Sequence, residues 1–134
     1  MRPLLQRASA IYGAVFVLIA IIGFFTSRGS MESDPAIAPR IFGLFPVNLI
    51  HNLFHLGWGI WGLAAARAWV PSHRYLSATA VVYILLALLA FITPNGFGLL
   101  PIGSHDIWLH ALLGIVAAAV VLAAGQEEVR TATR

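Results

Sequence analysis

Apolar residues run along this chain in four long stretches with short polar breaks between them. The stretches extend from about Ala8 to Thr26, Pro46 to Ala66, Leu76 to Ile92 and Ile107 to Ala124. Each is close to the ~20 residues that cross a hydrocarbon core. None holds a Lys, Arg, Asp or Glu in its interior. Lipid offers no partner to a backbone N–H or C=O, so a spanning segment must pair its own, and helices are predicted. The alternation that marks a membrane barrel strand is absent. The expected fold is all-α: an integral membrane four-helix bundle, up-down-up-down, forming a single domain over residues 1–134 with spans 8–26, 46–66, 76–92 and 107–124.

The breaks carry loop chemistry. Ser27-Arg28-Gly29-Ser30, Asp34-Pro35 and Pro39 make a polar first loop. Trp69-Val70-Pro71-Ser72 reads as a short turn with Ser72 as a helix cap, and Pro46 suits the first turn of the second helix. Thr93-Pro94-Asn95-Gly96 ends the third helix, and Pro101 to Ser104 leads into the fourth. The first stretch, preceded by Arg2 and Arg7, is too long for the apolar region of a signal peptide and lacks a clear cleavage site; it is read as an uncleaved span.

Composition sharpens this picture. Of 134 residues 60% are apolar and 10% charged, far short of the roughly one quarter that covers a soluble domain. Cysteine is absent, which excludes disulfides, thiolate metal sites and a cysteine nucleophile. All eight basic residues are arginines, and with the many alanines this suggests a GC-rich bacterial genome. The net charge of +3 is scattered beside apolar segments, which fits membrane topology and not nucleic-acid binding. Arg2, Arg7, Arg67, Arg74, Arg130 and Arg134 fall on one side, and Arg28 and Arg40 on the other with Glu32 and Asp34. The positive-inside rule then expects both termini in the cytoplasm of a multi-pass protein of the bacterial inner membrane. Trp69 and Tyr75 would sit at the inner interface and Trp108 at the outer.

The polar residues inside the spans carry the candidate chemistry. Helical spacing places Asn48, His51, Asn52 and His55 along one side of the second helix, continued by Gly59 and Gly62. Leu49, Leu53, Leu56 and Ile60 take the opposite side. Polar groups facing hydrocarbon are costly, so the first side should face the interior, where glycines let a neighbour approach. In the fourth helix Asp106 and His110 are one turn apart. Both helices run in the same direction, so at ~1.5 Å per residue His51 and His110 share a depth, with His55 one turn deeper. If the two helices are neighbours, His51, His55, Asp106 and His110 converge near the outer side. Three imidazoles and a carboxylate suit zinc, iron or copper, with Asp106 as ligand or base; haem is a weaker fit. The competing reading has Asn48, His51, Asn52, His55, Asp106 and His110 hydrogen-bonding one another as a structural lock between helices. No catalytic nucleophile with its own base is found. His73 reads as an interfacial residue, His105 as a loop residue, and Trp58 and Trp61 as packing or lipid-facing residues.

The stretch from Phe42-Gly43-Leu44-Phe45-Pro46 through Asn48, His51 and His55 to Gly59-Ile60-Trp61-Gly62-Leu63 resembles a bacterial family of small four-span membrane proteins, the domain of unknown function 4383 family. Asp106-Ile107-Trp108-Leu109-His110 with Leu113-Gly114-Ile115 looks like its second motif. The resemblance implies a four-helix membrane fold with the Asn-x2-His-x3-His and Asp-x3-His positions as its polar signature, and implies no activity. Three function classes follow. The first is a non-enzymatic accessory subunit or stress-related factor, with a lipid bilayer, a homo-oligomer or a membrane protein as partner. The second is a membrane metalloprotein. The third is an oligomeric transporter or channel subunit, with Gly13, Gly23, Gly57 and Gly59 as contact positions.

Overall fold

The computed structural model describes residues 4–132. Four α-helices make up most of the described residues: α1 (Leu4–Ser27), α2 (Leu49–Ala65), α3 (Trp69–Ile92) and α4 (Asp106–Ala132). α1, α3 and α4 are long and apolar enough to cross a membrane. α2 has 17 residues, about 26 Å at the helical rise, a little under the ~30 Å hydrocarbon thickness. The outer surface is apolar, with Leu18, Phe25, Leu53, Ile60, Leu85 and Leu122 among the exposed side chains. Such a surface belongs in lipid; in water it would be an aggregation surface.

α1 packs closely on α2, and α3 on α4; α1 and α3 also touch, whereas α2 and α4 make little backbone contact. The shared depth of their histidines predicts contact between α2 and α4 near their outer ends. They face each other across the bundle, and long side chains bridge the distance. The α1–α2 seam is tight because it is built on glycine. A Cβ on Gly13 would lie 2.6 Å from the Leu63 backbone nitrogen, and one on Gly59 would lie 2.7 Å from the Val17 nitrogen. The Gly23 position is covered by the Asn52 side chain. Gly13, Gly23 and Gly59 therefore serve contacts within the chain, which removes them as oligomer contact positions; Gly57 has open space before it.

Four local expectations are corrected. Residues 69–72 are the first turn of α3, not a turn before it. Pro71 is tolerated there because the missing N–H of a first-turn residue has no helical partner to lose. Ser72 does not cap this helix: its hydroxyl donates to the carbonyls of Ala65 and Ala68 at 2.9 Å, closing the end of α2. Pro46 lies outside α2, in a short antiparallel hairpin of β1 (Arg40–Ile41) and β2 (Phe45–Pro46). Tyr75, expected at the interface, is fully buried beside Gly62 and Trp61.

The first loop is ordered by its own polar groups. The Asp34 carboxylate accepts from Ala36 N at 2.8 Å, Val47 N donates to the Pro39 carbonyl at 2.8 Å, and Leu49 N donates to the Ser30 carbonyl at 2.8 Å. These bonds hold the hairpin over one end of the bundle. Its turn carries Phe42 and Gly43 at φ 53° and 73°. The glycine takes the left-handed conformation freely; the phenylalanine does so at a cost.

Candidate metal centre

Asn48 sets the register of the site. It is the N-cap of α2, with extended backbone, and its side-chain oxygen accepts from His51 N at 2.8 Å. Its amide nitrogen donates to the Leu99 carbonyl at 2.8 Å, tying α2 to the loop before α4. From that start, His51 and His55 follow one turn apart on the inward side, with ring centroids 4.4 Å apart. α4 supplies Asp106 as its first residue and His110 one turn later. The His51 and His110 rings stand 6.0 Å apart. One nitrogen from each of His51, His55 and His110 lies within 4.8 Å of the others. The Asp106 carboxylate is 3.9 Å from His51 Nδ1, beyond hydrogen-bond range.

All four side chains are buried. Nδ1 of His51, His55 and His110 and Oδ2 of Asp106 have no protein hydrogen-bond partner. Such groups cost about 1–3 kcal/mol each when left unmet, and four in one cluster is far from the native norm of satisfied polar atoms. Those four atoms make no hydrogen bond to one another. The donor set does fit a cation: three imidazoles and a carboxylate suit zinc, iron or copper. Metal–nitrogen bonds of about 2.1 Å would require the imidazoles to draw in by roughly an ångström.

The polar positions of α2 thus divide. His51 and His55 join Asp106 and His110, while Asn48 serves as cap and loop anchor. Asn52 turns toward α1, where its amide donates to the Ser27 hydroxyl at 3.0 Å. His105 lies in the loop before α4, at 3.3 Å from the Ser104 hydroxyl. His73 stacks on Trp69 with centroids 5.3 Å apart. Trp58 packs inward, its indole N–H donating to the Thr79 hydroxyl at 3.0 Å.

Several wall residues escaped the sequence reading. Phe16 of α1 stacks near His55 at 5.5 Å, and Tyr83 of α3 meets His110 edge-on at 5.3 Å. Ile41, Phe45 and Val47, in and just after the hairpin, line the cavity beside the histidines. Tyr83 had a signal, a polar-tipped ring in the middle of an apolar helix. Phe16 had none, because lipid and protein interior select the same side chains.

An all-α chain of four helices, three of them able to cross a membrane, with histidines and a carboxylate gathered inside, defines the class: a small helical membrane protein with a buried polar centre. Within that class the chain belongs to the family described as Domain of unknown function (DUF4383), whose model matches residues 6–123. No curated protein and no solved structure matches the chain. The matched region includes both motifs, so the four site residues lie inside the family domain.

Proposed function

We propose that this protein is a membrane metalloprotein that holds one transition-metal ion through His51, His55 and His110, with Asp106 as fourth ligand or as a base beside it. The observation that carries the reading is the group of four buried polar atoms with no protein partner, three of them imidazole nitrogens on side chains close enough to share an ion. Zinc, iron and copper all accept such a set. The test is element analysis with an optical spectrum of the full chain purified in detergent. The expected result is near one metal per chain, without the intense absorption of haem. A metal-free protein that retains its fold after growth in metal-replete medium would overturn the reading.

The same proposal places the chain in a bacterial inner membrane with four spans, α2 being the shortest, and with both termini cytoplasmic. The support is the arginine bias described above; of those arginines, Arg2 and Arg134 lie outside the described residues. Reporter fusions at the C-terminus and within residues 30–38 check this. Cytoplasmic signal from the first and extracytoplasmic signal from the second are expected; the reverse pattern would place the metal centre near the cytoplasmic face.

A further inference from the structure

We propose that the ligand of this centre is the carboxylate of a single-chain amphiphile, a free fatty acid, entering from the bilayer between α1 and α4. The inference rests on the metal reading above. A cavity of about 200 Å³ adjoins the four site residues. Its remaining lining is wholly apolar and includes Ile19 and Ile22 of α1, Leu109 and Leu113 of α4, and Phe45 of the hairpin. A second cavity of about 250 Å³ continues along the same seam, between Ile11 and Val15 on one side and Leu112 and Val116 on the other. The two share Phe16 and Leu113 as lining residues and so lie next to each other along the seam. Together they fall within the ~300–1,000 Å³ of ordinary ligand sites.

The seam is loosely closed, for α1 and α4 pack far less tightly than either does on its own partner. The Tyr12 hydroxyl donates to the Leu113 carbonyl at 2.8 Å and pins the two helices beside the second cavity. On the loop side, Ile41, Phe45 and Val47 stand over the histidines, so a ligand from water meets an apolar roof. A ligand from the bilayer meets two neighbouring apolar cavities, the inner of which ends at a polar centre.

Charge selects the head. A divalent ion among neutral imidazoles and one Asp106 carboxylate keeps a net charge of +1, and an uncompensated charge in a dry interior is costly. One further carboxylate cancels it. Beyond the four site residues the cavity lining offers no polar side chain, so a head with more polar groups would leave them unmet. A fatty acid has one polar group and one tail; a phospholipid brings a second tail and a larger head.

The test uses the full chain, with its metal content measured, in phosphatidylcholine vesicles with palmitic acid carrying a mid-chain diazirine. Photolabelling should saturate and map to the facing sides of α1 and α4. Unlabelled palmitic acid should reduce it at least about tenfold, while hexadecanol and phosphatidic acid should not. Ile19→Trp, which fills the path, should lower labelling with metal content unchanged, and Leu18→Trp on the lipid face should not lower it. Labelling that does not saturate and spreads evenly over exposed faces would show bulk lipid and overturn the inference, leaving the metal reading intact. Equal competition by hexadecanol or by phosphatidic acid would overturn the choice of head. A protein without metal would sink the metal reading itself, and saturable labelling of that protein would still overturn this inference, because the head would have no ion to meet.

Discussion

Gly13→Ala is expected to lower the unfolding free energy by about 3 kcal/mol, the upper end of the usual range for overpacking. The added methyl would lie 2.6 Å from Leu63 N and 2.8 Å from the Gly59 carbonyl oxygen. Both atoms are backbone, so no side chain can rotate away and the two helices must separate. Separation would undo the other close approach on this seam, that of Gly59 to Val17. It would also carry α2 away from Phe16, which stacks near His55. Small residues matter more in a membrane than in water, because lipid provides no hydrophobic drive between helices and close packing must supply the attraction. Gly57→Ala is the control: nothing lies within 4 Å of its added methyl, and a change within about 0.5 kcal/mol is expected. SDS-titrated unfolding of both variants in mixed micelles measures the contrast. Equal stability of the two would contradict the glycine seam.

His55→Gln and His55→Ala are both expected to release the metal, and that shared outcome separates a metal centre from a structural network. Glutamine keeps an amide donor and acceptor but is a poor ligand for zinc or copper, which favour imidazole. In a hydrogen-bonded network glutamine would preserve most of the stability, and alanine would be the worse change. In a metal centre both remove one of three imidazoles. Metal affinity should then fall by more than about 100-fold, since even the loss of an outer partner of a ligand costs 10–100-fold. Stability should fall with it, because an ion bound to the folded state alone stabilises that state by about 2.7 kcal/mol at a hundred times its dissociation constant. A chelator should lower the melting temperature of the wild type and leave both variants unchanged. Element analysis and thermal unfolding with and without chelator provide the readout. Retention of metal by His55→Gln would remove His55 from the ligand set.

Much of this protein was legible because the bilayer constrains sequence harder than water does. Uncharged runs such as Ala8 to Thr26 and Leu76 to Ile92 have few options but to be helices, since lipid leaves the backbone no partner outside the segment. The direction of the polar residues was legible for the same reason: His51, His55 and His110 are too costly to face hydrocarbon. The shared depth of His51 and His110 followed from the rise per residue and from two helices running the same way.

Boundaries were less legible. Asn48 has the chemistry of a cap, yet inside an apolar run it read as a member of a helical stripe. Its extended backbone and its bond to the Leu99 carbonyl are what place the start of α2 after Pro46. Ser72 showed the opposite error: a residue type favoured at caps sits inside α3 and closes α2. Each side chain offers the same oxygen to either role, and the neighbour decides which role it takes.

By itself the sequence determined the helical class, the lipid-facing surface and the inward side of α2, because those follow from the cost of placing polar groups in hydrocarbon. The tertiary structure decided how the helices pair. It sent Asn52 to α1 and Ser27 while His55 turned to the centre, since the close approach of α1 at Gly13 and Gly23 fixes how α2 is rotated. It also decided that α2 and α4 meet through side chains across the bundle, leaving four polar atoms without partners and a cavity open beside them. Apolar side chains pack as readily on lipid as on each other, so their pattern along the chain does not encode which helix lies beside which.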